Sequence, residues 1–392
     1  MHIYLVGGAV RDQLLGLKAY DKDYVVTGAR PEDLLAQGFS QVGKDFPVFL
    51  HPLTHEEYAL ARTERKAGSG YTGFICAFGP EVSLEEDLKR RDLTVNAMAR
   101  DEEGNLIDPY GGLADLKARI LRHVSPAFVE DPLRVLRAAR FVAKLAPFNF
   151  TLHPTTAQLL RDMAASGELN ALTPERCFME VHKAMSTAVP ERFFSTLHQC
   201  QALPAVMPEM AALFVSPSSL NPDLSAFERG AQALALIKDK VSDPALRFAT
   251  LAHDLGAQDL QTLSSRMHLP KDYQEAVRLV HLSLPLWQHL PQATATDILA
   301  LFTRLDLYRR PQRLEQMVPI LGALSATLGQ DTQTRAQALQ QIFGLTQEVQ
   351  VQALVQQGLK GKAIGEAVAR LRLGMISDFC AAQPDALLYR AK

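Results

Sequence analysis

The stretch Gly7-Gly8-Ala9-Val10-Arg11-Asp12, followed nine positions later by Asp21-Lys22-Asp23, decides the fold of the N-terminal region. Apolar, strand-like runs flank it, from His2 to Val6 and from Tyr24 to Val26, which places both motifs at strand ends. A glycine turn there lets backbone N–H groups approach a phosphate, and carboxylates at alternate strand positions share one face. Two carboxylates together with substrate phosphates can hold Mg²⁺, so the pattern predicts nucleotidyl transfer.

Each half of this pattern has an ordinary alternative. Gly-Gly pairs are common in turns, and D-x-D occurs by chance in solvated loops. The combination is more specific, because both motifs stand at the ends of apolar runs within the first 26 residues. The chain is therefore expected to open with a phosphate-handling site rather than with two unrelated loops.

Length and composition predict a folded protein with more than one domain. The chain has 392 residues, of which 47% are apolar, and this exceeds the size at which one core usually keeps growing. No apolar run approaches the roughly 20 residues of a membrane span, and the N-terminus lacks the basic region of a signal peptide. We expect a cytoplasmic protein without a membrane partner. Nothing in the sequence sets the oligomeric state.

Charge and cysteine usage exclude two further classes. The formal net charge is only −2, so any RNA contact must use local basic patches rather than a globally basic surface. The cysteines are far apart and form no C-x-x-C pair, which argues against a zinc ribbon and against a disulfide framework. We expect reduced, mostly buried thiols at Cys76, Cys177, Cys200 and Cys380.

The hydrophobic pattern changes near residue 127 and predicts an α+β protein. Short strand-like runs with turns fill residues 1–126, which we expect to form a head with a small mixed sheet and helices. Long amphipathic segments follow, separated by Pro-containing breaks. They predict an all-α body over 127–215, a helical domain over 223–330 and a helical tail over 331–392. The Pro- and Ser-rich stretch 215–222 is the expected linker.

Two arginine clusters are candidates for binding phosphate. Arg91 lies in Lys89-Arg90-Arg91-Asp92, where it either contacts a triphosphate or pairs with Asp92 at the surface. In 130–141, Asp131 is a suitable helix N-cap and three arginines recur at i, i+3 and i+6, so they share one helical face. Such a stripe needs an anionic partner or strong solvation, and a triphosphate would supply the first. These arginines are Arg134, Arg137 and Arg140.

Two other motifs have weaker chemical meaning. The glycine-rich stretch 67–73 suits either a mobile lid over the head or a plain connector, and it lacks the lysine of a Walker A loop. The pair His253-Asp254 can bind a metal only if other helices contribute ligands. The histidines His268, His281 and His289 follow without a convincing ligand spacing, so a structural remnant in a helical core is the alternative.

The chain closely resembles the bacterial CCA-adding enzymes, the tRNA nucleotidyltransferases of the DNA polymerase β-like superfamily. The resemblance rests on the motifs LVGGAVRD, DKDYVV, HEEYALARTERK, KRRDLTVNA, EDPLRVLRAARF and LTPERCFMEVHKAM, which occur in the family's order. It implies that Asp21 and Asp23 bind the catalytic Mg²⁺ ions. Gly8, Arg11, Arg91, Arg137 and Arg140 would then bind CTP or ATP, with Glu57 or the adjacent Glu56 as a third acidic group.

The resemblance further implies that Asp131 and Arg134 act as a protein template, and the chemistry is consistent. A carboxylate only accepts and a guanidinium only donates hydrogen bonds, whereas cytosine and adenine both offer an amine beside a ring-nitrogen acceptor. Uracil and guanine present a carbonyl and a ring N–H instead. Polar groups of the base and of the Asp–Arg pair would then stay without hydrogen bonds, at a cost in binding free energy of about 1 to 3 kcal/mol for each group. The implied reaction is addition of CCA to the 3′ end of tRNA from CTP and ATP, with release of pyrophosphate.

The C-terminal half departs from the longer relatives. These carry an HD phosphohydrolase domain, but here the upstream histidine is replaced by the segment Ser225-Ala226-Phe227-Glu228. We therefore expect residues 223–330 to be a degenerate HD-like domain with little hydrolase activity. The alternatives are a poly(A) polymerase, a partial CC- or A-adding enzyme, and, from another class, a non-catalytic tRNA-binding protein.

Overall fold

The structure is a computed structural model that describes residues 1–19, 21–42, 48–66, 74–326 and 332–383. The chain divides into two compact units, Met1–Val206 and Met207–Lys392. Within the described residues, all strands lie in the first unit and the second unit is helical. The predicted α+β class is therefore confirmed.

The first unit combines short strands with helices. Its strands are β1 (His2–Val6), β2 (Asp23–Thr27), β3 (Ser40–Val42), β4 (Val48–Leu50), β5 (Glu57–Leu60), β6 (Arg62–Lys66), β7 (Phe74–Phe78), β8 (Ala99–Arg100), β9 (Leu106–Ile107), β10 (Ile120–Leu121) and β11 (Thr151–Leu152). Its helices are α1 (Gly8–Leu14), α2 (Pro31–Ala36), α3 (Leu84–Lys89), α4 (Gly112–Ala118), α5 (Leu133–Leu145), α6 (Pro154–Ala165), α7 (Pro174–Met185), α8 (Glu191–Gln199) and α9 (Leu203–Val206).

The main sheet of the described residues has seven strands in the order β3-β4-β5-β2-β1-β8-β9. Strand β1 pairs antiparallel with β2, so that Val6 lies opposite Asp23, and β2 pairs parallel with β5. The strands β6 and β7 form a separate antiparallel ribbon. The sheet is mixed, as the sequence predicted, and the carboxylate motif stands at the beginning of its central strand β2.

Each face of the sheet packs against its own core cluster, and successive side chains of a strand belong to different clusters because they point to opposite faces. Val25 belongs to one core cluster with Val6, Leu88 and Ala97. Its neighbour Val26 belongs to another, which packs against α2 and β4. Asp23 shares the Val25 face, two positions away, and this face also carries α3 and the short 3-10 turn Thr94–Asn96.

The helices after residue 130 begin at local sequence signals. Pro174 is the first residue of α7, where a missing N–H costs nothing, and His153 accepts a hydrogen bond from Thr155 N at the beginning of α6. Helix α5 packs against α7 and α8. Its inner face is apolar, so the arginines it carries are held at the edge of a packed core.

The second unit consists of helices around a separate core that includes the buried Trp287. None of the helices in the described ranges is long and apolar enough to cross a membrane. The helices are α10 (Pro208–Ala212), α11 (Ala226–Ile237), α12 (Pro244–Leu251), α13 (Ala257–Met267), α14 (Lys271–Gln288), α15 (Ala295–Arg304), α16 (Gln312–Ala326), α17 (Thr332–Gln347), α18 (Val351–Gln356) and α19 (Lys362–Ala382).

The unit boundary differs in position from the expected linker. It falls between Val206 and Met207, whereas the stretch 215–222 belongs to the second unit. There Ser218 Oγ donates a hydrogen bond to the Asp254 carboxylate, which fixes a segment that composition alone suggested to be loose. The finer division into four domains stays a prediction. The glycine-rich stretch 67–73 lies outside the described residues.

Candidate active site

A cavity of about 910 Å³ in the first unit is lined by the two carboxylates of the DKD motif and by the residues that the sequence proposed for nucleotide binding. Elements far apart in sequence meet there, including the glycine turn, strand β2, the segment after α3, and helices α5 and α7. The residues concerned are Gly8, Arg11, Asp21, Asp23, Arg91, Asp131, Arg134, Arg137 and Arg140. Arg176, Lys144 and Lys183 add positive charge that the sequence did not indicate.

The two carboxylates of the DKD motif share this cavity, with Asp23 as the first residue of β2. Burial raises the pKa of Asp23 above its usual value; Arg91 opposes this shift, and the charge of Asp21 adds to it. Two neighbouring carboxylates in a partly desolvated site are a donor set that suits a hard divalent cation, because the cation relieves their repulsion. The residues present therefore fit the implied Mg²⁺.

The structure also separates the two candidates for a third acidic group. Glu57 on β5 lies directly opposite Asp23 in the parallel pairing of β2 and β5. The side chain of Glu56 instead forms an ion pair with Lys22, with Oε1 at 3.3 Å from Nζ. Adjacent strand residues point to opposite faces, so of these two glutamates Glu57 is the one in register with Asp23.

The glycine turn brings Arg91 against the backbone. Gly7 has φ +71°, and a Cβ at this position would lie 2.8 Å from Arg91 Nη1, so a side chain there would displace the guanidinium. The fully buried Asp87 orients Arg91, which donates to it at 3.1 Å, and Arg90, which donates at 2.6 Å. Burial alone would raise the pKa of Asp87, but Arg90 and Arg91 outweigh it and hold this pKa low.

Arg11 is only 1% exposed and is held by two side chains. Its Nε donates to Asp12 Oδ1 at 2.8 Å and its Nη1 donates to Asn96 Oδ1 at 2.5 Å. Asp12 Oδ2 also accepts from Lys144 Nζ of α5 at 3.3 Å. Arg11, which the sequence proposed for nucleotide binding, is therefore a preorganised part of the cavity wall rather than a mobile surface arginine.

Asp92 connects the segment after α3 to helix α5. Its Oδ2 accepts from Arg137 Nε at 2.9 Å, and its Oδ1 accepts from Asn96 Nδ2 at 3.1 Å. Burial alone would raise the pKa of Asp92, but Arg137 and Asn96 hold it well below its usual range. The sequence left open whether Arg91 contacts a triphosphate or pairs with Asp92 at the surface. In the structure Asp92 is buried and pairs with Arg137, 45 residues away, instead of with Arg91.

A single aromatic ring orders three of the guanidiniums. The Phe141 ring centroid lies 5.3 Å from Arg11 Cζ, 5.9 Å from Arg137 Cζ and 4.5 Å from Arg140 Cζ. Cations are attracted to an aromatic face, most strongly where water is excluded. Phe141 is buried and lines the cavity, so it holds three like charges at one wall.

The arginine stripe of α5 has protein anions as partners, which corrects one step of the sequence interpretation. Asp92 neutralises Arg137, and Glu180 on α7 accepts from Arg140 Nε at 2.5 Å. Arg134 donates to two backbone carbonyls, those of Ala127 at 2.9 Å and Arg90 at 2.6 Å. The three arginines thus do not by themselves require a phosphate. The repulsion between their charges is relieved by protein carboxylates that lie far away in the sequence, so the spacing of the arginines alone could not predict these partners.

The surroundings of Asp254 in the second unit are different. Its carboxylate accepts from Ser218 Oγ at 2.9 Å, from Ser219 N at 3.0 Å, and also from Ser219 Oγ. His253 Nε2 lies 3.2 Å from Asp254 Oδ2, but the two groups are not aligned as a hydrogen bond. Ser225 and Glu228, in the segment for which the resemblance implied the loss of a histidine, form a capping box that begins α11.

Comparison with known families matches two regions of the chain. Residues 3–122 match the poly(A) polymerase head domain, and residues 149–214 match a probable RNA- and SrmB-binding site of polymerase A. Together with the DKD carboxylates and the arginine-lined cavity, the head domain defines the class: the protein is a nucleotidyltransferase.

Solved structures narrow the fold further. The chain is similar to a CCA-adding enzyme in an apo form, with a TM-score of 0.71 and 21% identity over 99% of this chain and 92% of that one. It is similar to a CCA-adding enzyme complexed with CTP, with a TM-score of 0.69 and 21% identity over 98% and 91% of the two chains. For the Thermotoga maritima CCA-adding enzyme complexed with tRNA, the TM-score is 0.65 and the identity 21% over 97% and 91%. The chain therefore has the fold of the CCA-adding enzymes.

Proposed function

We propose that the protein adds C, C and A to the 3′ end of tRNA, using CTP and ATP and releasing pyrophosphate, as a cytoplasmic enzyme. The observation that carries the proposal is the convergence of Asp21 and Asp23 with Asp131 and Arg134 on one cavity. The first pair suits phosphoryl chemistry, and the second suits selection of a base that offers an amine beside a ring nitrogen.

In this proposal Asp21 and Asp23 hold Mg²⁺, and the exposed Glu57 stands opposite Asp23. When bound, the metal lowers the pKa of the tRNA 3′-hydroxyl and neutralises charge on the α-phosphate and on pyrophosphate. The charge of Asp21 raises the pKa of Asp23, and this repulsion makes the carboxylates a poor pair without a cation, which is consistent with that role.

The arginines supply the remaining electrostatic stabilisation. Arg91 and Arg11 are fixed by Asp87 and Asn96 before any ligand arrives, so little free energy is spent on reorganisation when triphosphate charge enters the cavity. Lys144 lies on the same wall. In-line attack by the 3′-hydroxyl then expels pyrophosphate from a site whose positive groups are already in place.

RNA recognition is expected to fall to the helical part of the first unit. Residues 149–214, which match an RNA-binding region of polymerase A, include α6, α7 and α8. Since the overall charge is close to neutral, we expect contacts with the shape and phosphates of tRNA through local basic groups rather than a reading of base sequence.

The test is incorporation of labelled CTP and ATP onto tRNA that ends at the discriminator base. Products extended by C, C and A, in that order and no further, support the proposal. Long A tracts would assign the protein to the poly(A) polymerases, and termination after CC, or addition of A only to tRNA ending in CC, would identify a partial enzyme. Binding of tRNA without incorporation would indicate the non-catalytic class.

A further inference from the structure

Helix α7 carries a side chain that directly holds one of the two proposed base-reading groups. Arg176 Nη2 donates to Asp131 Oδ2 at 2.9 Å and to Oδ1 at 3.2 Å, across 45 residues of sequence. Both side chains are about one-fifth exposed and line the cavity. A charge-assisted contact of this kind fixes a carboxylate more firmly than a neutral hydrogen bond does.

These contacts occupy the two oxygens of Asp131 unequally. Oδ1 accepts from Arg176 and from Leu133 N at 3.0 Å, whereas Oδ2 accepts from Arg176 at 2.9 Å. Because each carboxylate oxygen accepts about two hydrogen bonds, Oδ2 keeps room for another donor, such as the exocyclic amine of a base. The carboxylate is thereby held with one oxygen tied to the helix start and the other available.

Arg134, the other proposed base-reading group, has anchors of a different kind. Its guanidinium donates to the backbone carbonyls of Ala127 and Arg90, which no side-chain substitution removes. The orientation of Asp131 depends instead on Arg176, a side chain from another helix. The two halves of the base-reading pair can therefore be disturbed independently.

We propose that Arg176 is a positioning residue that sets the preference for cytosine and adenine by holding the Asp131 carboxylate. The inference rests on the proposed CCA addition. With Arg176 in place, the fixed Asp131 carboxylate accepts a hydrogen bond from the exocyclic amine of cytosine or adenine. The carbonyl oxygen of uracil or guanine would instead face this carboxylate with its own lone pairs, and the two oxygens would repel each other. Without Arg176 the carboxylate can rotate away from that carbonyl, so rejection of the wrong base weakens.

A merely structural role for Arg176 is separable, because α7 has another ion pair to α5. Glu180 accepts from Arg140 Nε at 2.5 Å, and this pair is more deeply buried than the pair of Arg176 and Asp131. Loss of Arg176 therefore leaves α7 attached to α5. Its effect should fall on the choice of nucleotide rather than on the fold.

The experiment measures kcat/KM for CTP, ATP, UTP and GTP on tRNA substrates with the full chain and three variants. Arg176→Ala removes the contact, Arg176→Lys keeps the charge and one donor direction, and Arg192→Ala on α8 is a matched control that removes an exposed arginine of the same unit. Melting temperatures are recorded for all of them.

We expect Arg176→Ala to reduce the CTP-to-UTP and ATP-to-GTP ratios of kcat/KM about tenfold or more, through a higher KM for the correct nucleotide and faster use of the wrong one. Arg176→Lys should recover part of the discrimination, and Arg192→Ala should match the wild type. Equal losses for all four nucleotides, with unchanged ratios, would overturn the inference. A wild type that fails to add C and A would instead refute the proposed function, so the two failures are distinguishable.

Discussion

The carboxylates of the two units have opposite surroundings, although both were candidates for metal binding in the sequence. Asp21 and Asp23 line a large cavity among cationic groups, and burial raises the pKa of Asp23. Asp254 accepts hydrogen bonds from Ser218 and Ser219. Asp254 also lines a cavity, one of about 250 Å³, so the difference lies in the partners of the carboxylates. A carboxylate whose lone pairs accept hydrogen bonds from its own chain serves the fold, whereas one that lies beside a second carboxylate among cationic groups is available for a ligand.

The largest effect is expected from removing a carboxylate of the first unit. Asp21→Ala should lower kcat for CTP incorporation roughly 1000-fold, or about 4 kcal/mol, because the cation that stabilises charge on the phosphate loses a ligand. Single-turnover incorporation onto tRNA measures this. Asp254→Asn is the matched control and should retain activity. An Asp21→Ala protein with wild-type incorporation would refute the metal assignment.

Asp92→Asn is expected to destabilise the first unit by about 3 kcal/mol, because Arg137 loses its buried counter-charge. The folded pKa of Asp92 lies below its unfolded value, so its contribution is complete above about pH 4 and is lost as the pH falls through the folded pKa.

Urea unfolding at pH 7 and at lower pH tests both parts. Acidification should cost the wild type more stability than it costs Asp92→Asn, with Glu103→Gln, an exposed change, as the control. An equal acid dependence in the wild type and Asp92→Asn would contradict the role of this pair.

Arg134→Ala tests base reading separately from chemistry. We expect the variant to retain incorporation but to lose about 10- to 100-fold of its discrimination against UTP and GTP, corresponding to about 1 to 3 kcal/mol, because a wrong base no longer opposes a fixed donor. Competition between labelled nucleotides on tRNA gives the ratio directly. An unaltered nucleotide preference would remove Arg134 from the template.

In the second unit, Asp254→Asn should cost stability and not activity. The loss of charge weakens the bonds from Ser218 and Ser219, with an expected cost of about 2 kcal/mol. Burial alone would raise the pKa of Asp254, but His253 beside it and the two serines hold it well below its usual range. This stabilisation is therefore present above about pH 4 and disappears as the pH falls further. Thermal melting across pH measures it, and an unchanged melting temperature would show the contacts to be without consequence.

The smallest effect is expected for His253→Ala on phosphatase activity. Purified protein should show little nickel- or magnesium-stimulated hydrolysis of phosphomonoesters or 2′,3′-cyclic phosphates, and the substitution should leave this background unchanged. Hydrolysis that is robust in the wild type and abolished in His253→Ala would place a working metal centre in the second unit.

The sequence indicated those site residues that lie in contiguous motifs. Asp23 begins strand β2 with Asp21 just before it, and Arg11 lies in helix α1 directly after the glycine pair. The signals for these residues come from neighbouring positions in the sequence, so they can be recognised without knowledge of the tertiary structure. The α+β class followed from the change of hydrophobic period near residue 127. These features depend on neighbours in the chain, so a single sequence is sufficient for them.

The ionic partners were not predictable in the same way. Glu180 and Arg176 lie 40 and 45 residues from the groups they hold, on a helix whose own pattern shows only an amphipathic face. Phe141 follows Arg140 on helix α5, but adjacency on a helix does not place two side chains on one face, so its contacts with Arg140 and Arg11 depend on the fold. Asp87 lies in the short helix α3, and no neighbouring residue in the sequence signals that its side chain is fully buried.

The links around Asp92 and Arg11 form a closed ring rather than a line. The ring begins on helix α5, crosses to the segment after α3 and to helix α1, and returns to α5 two turns further along. Loss of any one of these hydrogen bonds therefore leaves the same elements connected through the others, so the cavity wall does not depend on a single contact. Its members, in order, are Arg137, Asp92, Asn96, Arg11, Asp12 and Lys144.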